Sequence, residues 1–369
     1  MPSLEQFFKR FFFRLLYSFF SRPPYSVQQL PLHTFKRILI VRQHDQLGDL
    51  LIATPAIRAV RKRFPSAYIA IVVREYTAPM MLNNPNMDSV IIFYEKLARW
   101  NLSKVKSFWQ ALRGNGGFDC TIVLNTVSRS SSSDIIALLS KAPYIVGSNH
   151  LSLDTSLSEK IYNVVVQRSP EYKTEIERNL DIVRPLGCEM DSFEYDLIPT
   201  NEERIEAENI FLSLQLPKNK IAVGVHFGTL DVTRRFPLEK LAQLIDWMIE
   251  QHNVEVILIV GPNEIESRTY LLTLLKNKVV SAPLMPLRVF AAFMKHFSLF
   301  LCNDTGTLHI ASSQRVPTVS FHAMNDPAIW KPPHPRHIAV RAEDTLITSI
   351  TVEQVKEAIN IALNTGIQK

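Results

Sequence analysis

Acidic side chains follow the apolar run at residues 38–41. Residues 38–41, ILIV, are too few for a helix and rich in β-branched residues, which predicts a strand buried on both faces. Asp45, Gly48 and Asp49 follow in a polar, turn-like loop, and residues 50–64 then carry apolar side chains at helical spacing. Ligands of open α/β sheets bind at the carboxyl ends of the strands, so these carboxylates could act on a substrate. Either of them could instead cap the helix by accepting a backbone N–H.

A second run of polar residues, 303–309 or NDTGTLH, follows a predicted buried strand and opens a predicted helix. A helix N-terminus presents unpaired N–H groups and about half a positive charge, so the run predicts an anion site. Gly306 would let a ligand approach the backbone closely. Asp304 and Thr305 could instead cap the helix, and His309 could be a core histidine.

Strand and helix patterns alternate along the chain, which favours parallel sheets. The predicted strands span residues 38–41, 68–73, 90–93, 119–124, 144–147, 221–226, 254–260, 299–302 and 318–321. The predicted helices span residues 50–64, 100–113, 130–140, 175–186, 237–251, 263–276, 286–296, 307–314 and 352–363. The rhythm is irregular from 149 to 170 and restarts near residue 220. We therefore predict an α/β domain over 36–200, a connection with one helix over 201–219, and a second α/β domain over 220–369.

Composition narrows the class of protein. The chain has 369 residues and is 46% hydrophobic, which is enough for two cores. Its 41 basic and 35 acidic residues give +6, of which residues 1–24 carry +3, so the remaining 345 residues also carry only +3. This nearly neutral body does not imply a duplex nucleic-acid partner. Three widely spaced cysteines, Cys120, Cys188 and Cys302, fit a reducing compartment and predict no structural metal site.

Residues 1–35 form a distinct N-terminal segment. Phenylalanines and leucines of residues 5–20 share one side of a helical wheel, and Arg10 and Arg14 lie on the other. Arg14 interrupts what would be the core of a signal peptide, and no run of about 18 apolar residues spans a bilayer. We predict an amphipathic helix lying on an anionic membrane surface, followed by a proline-stiffened linker. The alternative is a helix packed on the protein body or on a second subunit.

The pattern R-x-x-D-x-x-G-D-x-L-x-x-T-P-A-I-R-x-x-R, residues 42–61, resembles the N-terminal signature of ADP-heptose:lipopolysaccharide heptosyltransferases, glycosyltransferase family 9. The resemblance extends over roughly residues 37–340. It implies the GT-B architecture, in which two Rossmann-like α/β domains face a central cleft, the first for the acceptor and the second for the nucleotide sugar.

The resemblance also implies roles for individual residues. The Asp of the Gly-Asp pair is the proposed general base of the family, so Asp49 is the predicted catalytic residue. The other matching positions of this signature predicted to bind substrate are Arg42, Asp45, Gly48, Thr54 and Arg58. Arg58 could instead belong to a solvated basic helix face. The run after residue 302 resembles the family motif D-[ST]-G-x-x-H, whose loop contacts the sugar diphosphate, and its matching residues are Asp304, Thr305, Gly306, Thr307, Leu308 and His309.

Two further loops carry the resemblance. After the strand 221–226, Gly228, Thr233 and Arg234 match a loop whose Lys pairs with the nucleotide phosphates in the family. The guanidinium of Arg234 keeps the charge, although Arg and Lys differ in geometry. Glu264 matches a family Glu that contacts the nucleoside, or it is an ordinary first-turn carboxylate.

The predicted activity is inverting, metal-independent transfer of heptose from ADP-heptose to the inner core of lipopolysaccharide, without a cofactor, at the cytoplasmic face of the bacterial inner membrane. The chain has no D-x-D sequence to hold a metal on a nucleotide diphosphate. Phe227, Arg234 and His322 depart from the family pattern, so another nucleotide sugar, or a protein or polysaccharide acceptor, stays open. The non-enzyme alternative is an inactive, membrane-associated nucleotide-sugar-binding protein. A dinucleotide enzyme is disfavoured because G-x-G-x-x-G is absent.

Overall fold

A computed structural model describes residues 18–127, 130–149, 161–167, 169–170 and 172–366. The chain divides between Ser192 and Phe193 into two compact units. The predicted membrane-surface helix lies outside the described residues, apart from positions 18–20. No helix in the described ranges is long and apolar enough to cross a membrane.

The first unit is built on a parallel sheet of six strands. They are β1 (Arg37–Val41), β2 (Tyr68–Arg74), β3 (Ser89–Phe93), β4 (Cys120–Val123), β5 (Tyr144–Ser148) and β6 (Val164–Val166). Their order is β3-β2-β1-β4-β5-β6, the doubly wound order of Rossmann folds. Residues 38–41 of the central strand β1 are fully buried, as predicted for a strand covered on both faces.

Helices of the first unit flank this sheet. They are α1 (Leu47–Ile52), α2 (Thr54–Arg63), α3 (Leu102–Arg113), α4 (Ser131–Leu139) and α5 (Glu175–Val183). The prediction of one helix over 50–64 was wrong, because Pro55 has no N–H to donate to the carbonyl of Leu51. That carbonyl instead accepts a hydrogen bond from the Thr54 hydroxyl at 2.7 Å. The first helix also begins earlier than predicted, so Gly48 and Asp49 are helical and do not lie in a loop.

The second unit repeats this architecture. Its strands are β7 (Ile221–His226), β8 (Val254–Ile259), β9 (Val280–Ser281), β10 (Leu299–Asn303), β11 (Thr318–His322) and β12 (His337–Arg341), in the order β12-β11-β10-β7-β8-β9. Its helices are α6 (Asn201–Ser213), α7 (Leu238–Gln251), α8 (Ile265–Leu274), α9 (Leu287–Phe293), α10 (Gly306–Ser313), α11 (Pro327–Trp330) and α12 (Val352–Gly366). Two α/β halves with parallel sheets are thus confirmed.

The strands missing from the prediction are β6, β9 and β12, which all lie at sheet edges. An edge strand pairs on one side only and buries less apolar surface, so its sequence carries a weaker pattern. The strand β6 falls within the stretch 149–170 that was predicted to be irregular.

The predicted connection over 201–219 also differs from the structure. Its helix α6 packs against α9 within the second unit. The contact is closed by Arg288, whose Nε donates to Oε1 of Glu203 at 2.6 Å and whose Nη2 donates to the carbonyl of Ile198 at 2.7 Å. The charged run at 201–208 is therefore partly an ion-paired helix face of the second unit.

Gly224 of β7 packs closely against two phenylalanine rings. A Cβ there would lie 2.6 Å from a ring carbon of Phe297 and 2.8 Å from one of Phe300. We expect Gly224→Ala to lower the free energy of unfolding by about 1–3 kcal/mol through overpacking, as measured by urea denaturation. Gly114→Ala is the matched control, because a Cβ at Gly114 meets nothing within 4 Å. Equal effects of the two substitutions would contradict the packing described for β7.

Candidate active site

The guanidinium of Arg42 lies at the carboxyl end of β1 and is almost completely buried, at 2% exposure. Its Nε donates to the carboxylate of Asp45, and its Nη1 donates to the carbonyl of Leu124 and, at 2.7 Å, to Oδ1 of Asn179. Its Nη2 donates to the backbone carbonyl of Asp49 at 3.1 Å. Four of the five guanidinium N–H groups are thus used within the protein, and one N–H of Nη2 is not. Arg42 therefore mainly fixes the start of α1, and its predicted contact with substrate could use only that remaining N–H.

Asp49 occupies the first turn of α1 and is partly exposed. Its Oδ2 accepts the N–H of Gln46 at 3.2 Å, so the carboxylate does cap the helix. Its Oδ1 has no hydrogen-bond partner among the described residues. One oxygen therefore fixes the orientation of the carboxylate, and the other is available to accept a proton.

Two buried carboxyl groups lie beside the Arg42 guanidinium. Burial raises the pKa of Asp45 from 3.8 to about 7; the charge of Arg42 opposes this shift, and those of Asp49 and Glu175 add to it. Burial also raises the pKa of Glu175, against a hydrogen bond from Thr126 and the charge of Arg42. The surroundings of Asp49 thus include one fixed cation and two carboxyl groups whose charge depends on pH.

Other predicted residues of the first unit have structural contacts. Thr54 is fully buried, and its hydroxyl fills the gap left by Pro55. Arg58 donates from Nε to Oδ1 of Asp191 at 3.0 Å and from Nη2 to the carbonyl of Ser192 at 2.7 Å. Gly48 lies in the buried turn of α1. Asp49 is the partly exposed carboxylate among these predicted residues.

In the second unit, a chain of polar contacts follows the carboxyl ends of β7, β8 and β10. Oε2 of Glu264 accepts the N–H of Gly261 at 2.7 Å and lies 3.4 Å from Nε2 of His226. Nδ1 of His226 lies 3.3 Å from the Thr307 hydroxyl. A Cβ at Gly228 would lie 1.4 Å from Oε1 of Glu264, so this carboxylate can occupy its place only because residue 228 is glycine.

The pKa of Glu264 lies below its usual value. Burial acts to raise this pKa. The hydrogen bond and charge of His226, together with the N–H of Gly261, act to lower it and outweigh the effect of burial. The ionised carboxylate accepts hydrogen bonds and cannot donate them, so it suits hydroxyl groups of a ligand.

Asp304 is the centre of a second cluster. Its Oδ2 accepts from Nη2 of Arg234 at 2.9 Å and from Nδ2 of Asn325 at 2.7 Å. Arg234 is about one-third exposed, and its Nε and Nη1 have no partner among the described residues. The carboxylate thus holds a guanidinium whose remaining donors could bind an anion.

The helix α10 begins beside this cluster. No side chain caps it at Thr305, whose hydroxyl lies 2.9 Å from that of Thr307. The N–H of Leu308 donates to the carbonyl of Thr305 at 3.0 Å, whereas those of Gly306 and Thr307 have no partner among the described residues and remain available for an anionic ligand. Leu308 and His309 are buried, and the His309 ring packs on Tyr195 with centroids 5.8 Å apart. These two side chains belong to the core, in agreement with the alternative considered for His309.

Asn303 joins the loops of this site across the switch point between β10 and β7. Its Nδ2 donates to the carbonyl of Phe227 at 2.9 Å, and its Oδ1 accepts the N–H of Phe236 at 2.9 Å. The side chain is 1% exposed. Thr233, between these loop ends, bonds through its N–H and hydroxyl to Asp231 and is exposed.

Three further polar residues were not among the predicted site residues, His226 and Asn325 in the second unit and Gln43 in the first. His226 is the last residue of a predicted strand, so the rule that polar strand ends form sites could have found it. Gln43 is buried and bonds to Ser132 and Ser133 at 2.7 and 3.0 Å, and Asn325 bonds to Asp304. Neither has a distinctive spacing in the sequence.

His322, noted as a departure from the family pattern, is completely buried. Its Nε2 lies 2.8 Å from the Ser320 hydroxyl, and its Nδ1 lies 3.9 Å from Oδ2 of Asp304. Burial lowers the pKa of His322 to about 4, although the charge of Asp304 opposes the shift. The imidazole is therefore a neutral core group behind Asp304.

Within the described ranges, no group of three or more His, Cys, Asp and Glu side chains could hold a metal ion. The polar atoms gathered at the two sheet edges are instead acceptors at Asp49 and Glu264 and donors at Arg234 and α10.

Residues 105–358 match the model of glycosyltransferase family 9, described as the heptosyltransferase family. The match covers more than half of the chain, so this protein belongs to glycosyltransferase family 9. Its prediction as a glycosyltransferase is thereby confirmed.

Known relatives agree with this classification. The chain is 22% identical over 302 residues to lipopolysaccharide heptosyltransferase 3 of Escherichia coli, covering 77% of this chain and 83% of that protein. Two solved structures share the fold. The family 9 glycosyl transferase of Veillonella parvula aligns with a TM-score of 0.77 at 21% identity, over 89% of this chain and 97% of that one. The ADP-heptose lps heptosyltransferase II of Escherichia coli aligns with a TM-score of 0.71 at 18% identity, over 89% and 99%.

The Asp45 environment predicts a pH-dependent stability. Because the pKa of Asp45 is higher in the folded chain than its ordinary value, the folded state binds this proton more tightly than the unfolded state. Its contribution is complete below about pH 4 and is lost as the pH rises to about 7 and above. We expect the free energy of unfolding of the wild type to fall relative to that of Asp45→Asn between about pH 5 and about pH 8. A pH-independent difference in urea denaturation would contradict the proposed titration.

Proposed function

We propose that this protein is an inverting, metal-independent heptosyltransferase that transfers heptose from ADP-heptose to the inner core of lipopolysaccharide. The observation that carries the proposal is the carboxylate of Asp49, held by the Gln46 N–H through Oδ2 and open at Oδ1. In the reaction, an acceptor hydroxyl oxygen attacks the anomeric carbon, the bond from that carbon to the diphosphate breaks, and Asp49 takes the hydroxyl proton. A base placed in this way contributes typically about 10² to 10⁴ in rate.

The donor half of the proposal rests on the second unit. ADP leaves with added negative charge on the diphosphate, which Arg234 and the first-turn N–H groups of α10 can stabilise. Glu264 provides an ionised acceptor for hydroxyl groups of the nucleoside. The Escherichia coli structure with the same fold is named as an ADP-heptose enzyme, which supports ADP-heptose as the donor.

Metal independence is proposed from the sequence. Many glycosyltransferases hold a metal on the nucleotide diphosphate with the paired carboxylates of a D-x-D sequence, which this chain lacks. Here a guanidinium and a helix N-terminus supply positive charge instead.

The acceptor and the location are proposed from the relatives. Lipopolysaccharide heptosyltransferase 3 of Escherichia coli supports a core lipopolysaccharide acceptor. Such an acceptor is anchored by lipid, so we place this protein on the cytoplasmic face of the inner membrane, with residues 5–20 on the membrane surface.

Asp49→Asn tests the base directly. Asparagine keeps an oxygen for the Gln46 N–H but cannot take a proton, so the cap survives and the base is lost. In EDTA, with ADP-heptose and deacylated inner-core acceptors, we expect wild type to release ADP and the variant to lose at least about 10²-fold in kcat, with unchanged binding of ADP. Full activity of the variant would refute Asp49 as the base. Activity that EDTA abolishes would refute metal independence, and preference for another nucleotide sugar would refute the donor.

Gly228 and Gly261 offer a matched pair at the nucleotide site. A Cβ at Gly228 would lie 1.4 Å from the Glu264 carboxylate, whereas a Cβ at Gly261 would lie at an ordinary 3.4 Å. We expect Gly228→Ala to weaken ADP binding at least about tenfold by displacing Glu264, and Gly261→Ala to leave it within about twofold. Isothermal titration calorimetry measures both, and equal affinities would exclude Glu264 from the nucleotide site.

A further inference from the structure

One side of α3 carries apolar side chains that the first unit leaves partly or fully exposed. Leu102, Val105 and Trp109 recur at helical spacing on one face and are exposed, Leu102 to 90%. Leu97, in the turn before the helix, is also 90% exposed. Leu112 follows Trp109 by three residues on the same side of the helix and is completely buried in the core of the unit. The apolar side of α3 is therefore anchored in the core at its C-terminal end and exposed toward its N-terminal end.

Basic residues surround this face. Residues 94–113 contain five Lys or Arg and one Glu, a net charge of +4, while the whole chain carries only +6. Lys96 and Lys106 are exposed and have no ion-pair partner among the described residues. We name the set Lys96, Leu97, Leu102, Val105, Lys106 and Trp109 the α3 surface. It combines exposed apolar area with lysines that have no ion-pair partner among the described residues.

The Leu97 end of the α3 surface adjoins the edge of the first sheet that carries Asp49. The chain leaves β3 at Phe93 and reaches Leu97 four residues later, at the carboxyl end of that strand. All strands of this sheet are parallel, so β3 and β1 end at the same edge. Two strand spacings of about 4.8 Å separate them, or about 10 Å.

We propose that the α3 surface rests on an anionic phospholipid bilayer. Aliphatic and aromatic side chains beside lysines are the combination by which helices lie in a membrane interface, because the chains enter the acyl boundary while the cations meet acidic headgroups. The half-exposed Trp109 ring suits the headgroup level. This contact is made by the folded body, in addition to residues 5–20, and it does not depend on which sugar is transferred. It brings the Asp49 edge toward a surface where a lipid-anchored acceptor is found.

Charge reversal tests the proposal in the full chain. Lys96→Glu with Lys106→Glu removes four charge units from the α3 surface. Lys218→Glu with Lys278→Glu makes the same change at exposed lysines of the second unit. In sedimentation with vesicles of phosphatidylethanolamine and phosphatidylglycerol, we expect the first pair to weaken binding at least about tenfold and the second by less than about threefold. Equal effects would overturn the proposal, because net charge alone would then explain them.

An apolar pair and a spectroscopic readout separate the bilayer from a protein partner. Leu97→Ser with Leu102→Ser should weaken vesicle binding, unlike the control Leu284→Ser with Leu346→Ser at exposed leucines of the second unit. Brominated lipid should quench wild-type fluorescence more than that of Trp109→Phe. Unchanged vesicle binding and quenching overturn the proposal, as does a dimer in vesicle-free solution that Leu97→Ser with Leu102→Ser dissociates, since a second copy would then cover the surface.

Discussion

The buried guanidinium of Arg42 is the constraint on which the first half of the site depends. It lies at the switch point of the first sheet, where the chain connections of the neighbouring strands β1 and β4 run in opposite directions. Its nitrogens bond to the residue after β4 and to residues of the helices α1 and α5. A buried charge is costly unless every polar atom around it is satisfied. Here the carboxylate of Asp45, two backbone carbonyls and the Asn179 amide supply those partners. The same bonds hold the backbone of Asp49, so the base is oriented by groups that do not themselves face substrate.

In the second unit, a neutral side chain connects the loops at the corresponding position of the sheet. Asn303 bridges β10 and β7 and fixes both ends of the loop that carries Gly228 and Arg234. Two sheets of identical strand order thus each have one buried polar residue across their switch point. The groups proposed to act on ligands lie near these two buried residues. Asp49 and Glu264 offer acceptors, while Arg234 and the start of α10 offer donors.

Sequence reasoning captured the features with strong periodic signals. Central strands, both sheets and the position of Asp49 beyond the carboxyl end of β1 follow from apolar runs and from the rule for parallel sheets, although Asp49 lies in α1 and not in the predicted loop. Edge strands such as β12 were not predicted, because only one side of such a strand pairs and is buried. Motif matching alone could not separate ligand-facing from core side chains, because Leu308 and His309 belong to a matching motif yet lie in the core. The pairing of Arg234 with Asp304 joins residues far apart in sequence, and nothing in their spacing indicates it.

The most direct test of the account is the configuration of the new glycosidic bond. A single displacement with Asp49 as the base requires the product to have the anomeric configuration opposite to that of ADP-heptose. Proton NMR of the product formed from a deacylated core acceptor reports that configuration through the anomeric coupling constants. We predict inversion. Retention would contradict the account, because it would require a nucleophile that forms a covalent intermediate in place of a base that takes a proton.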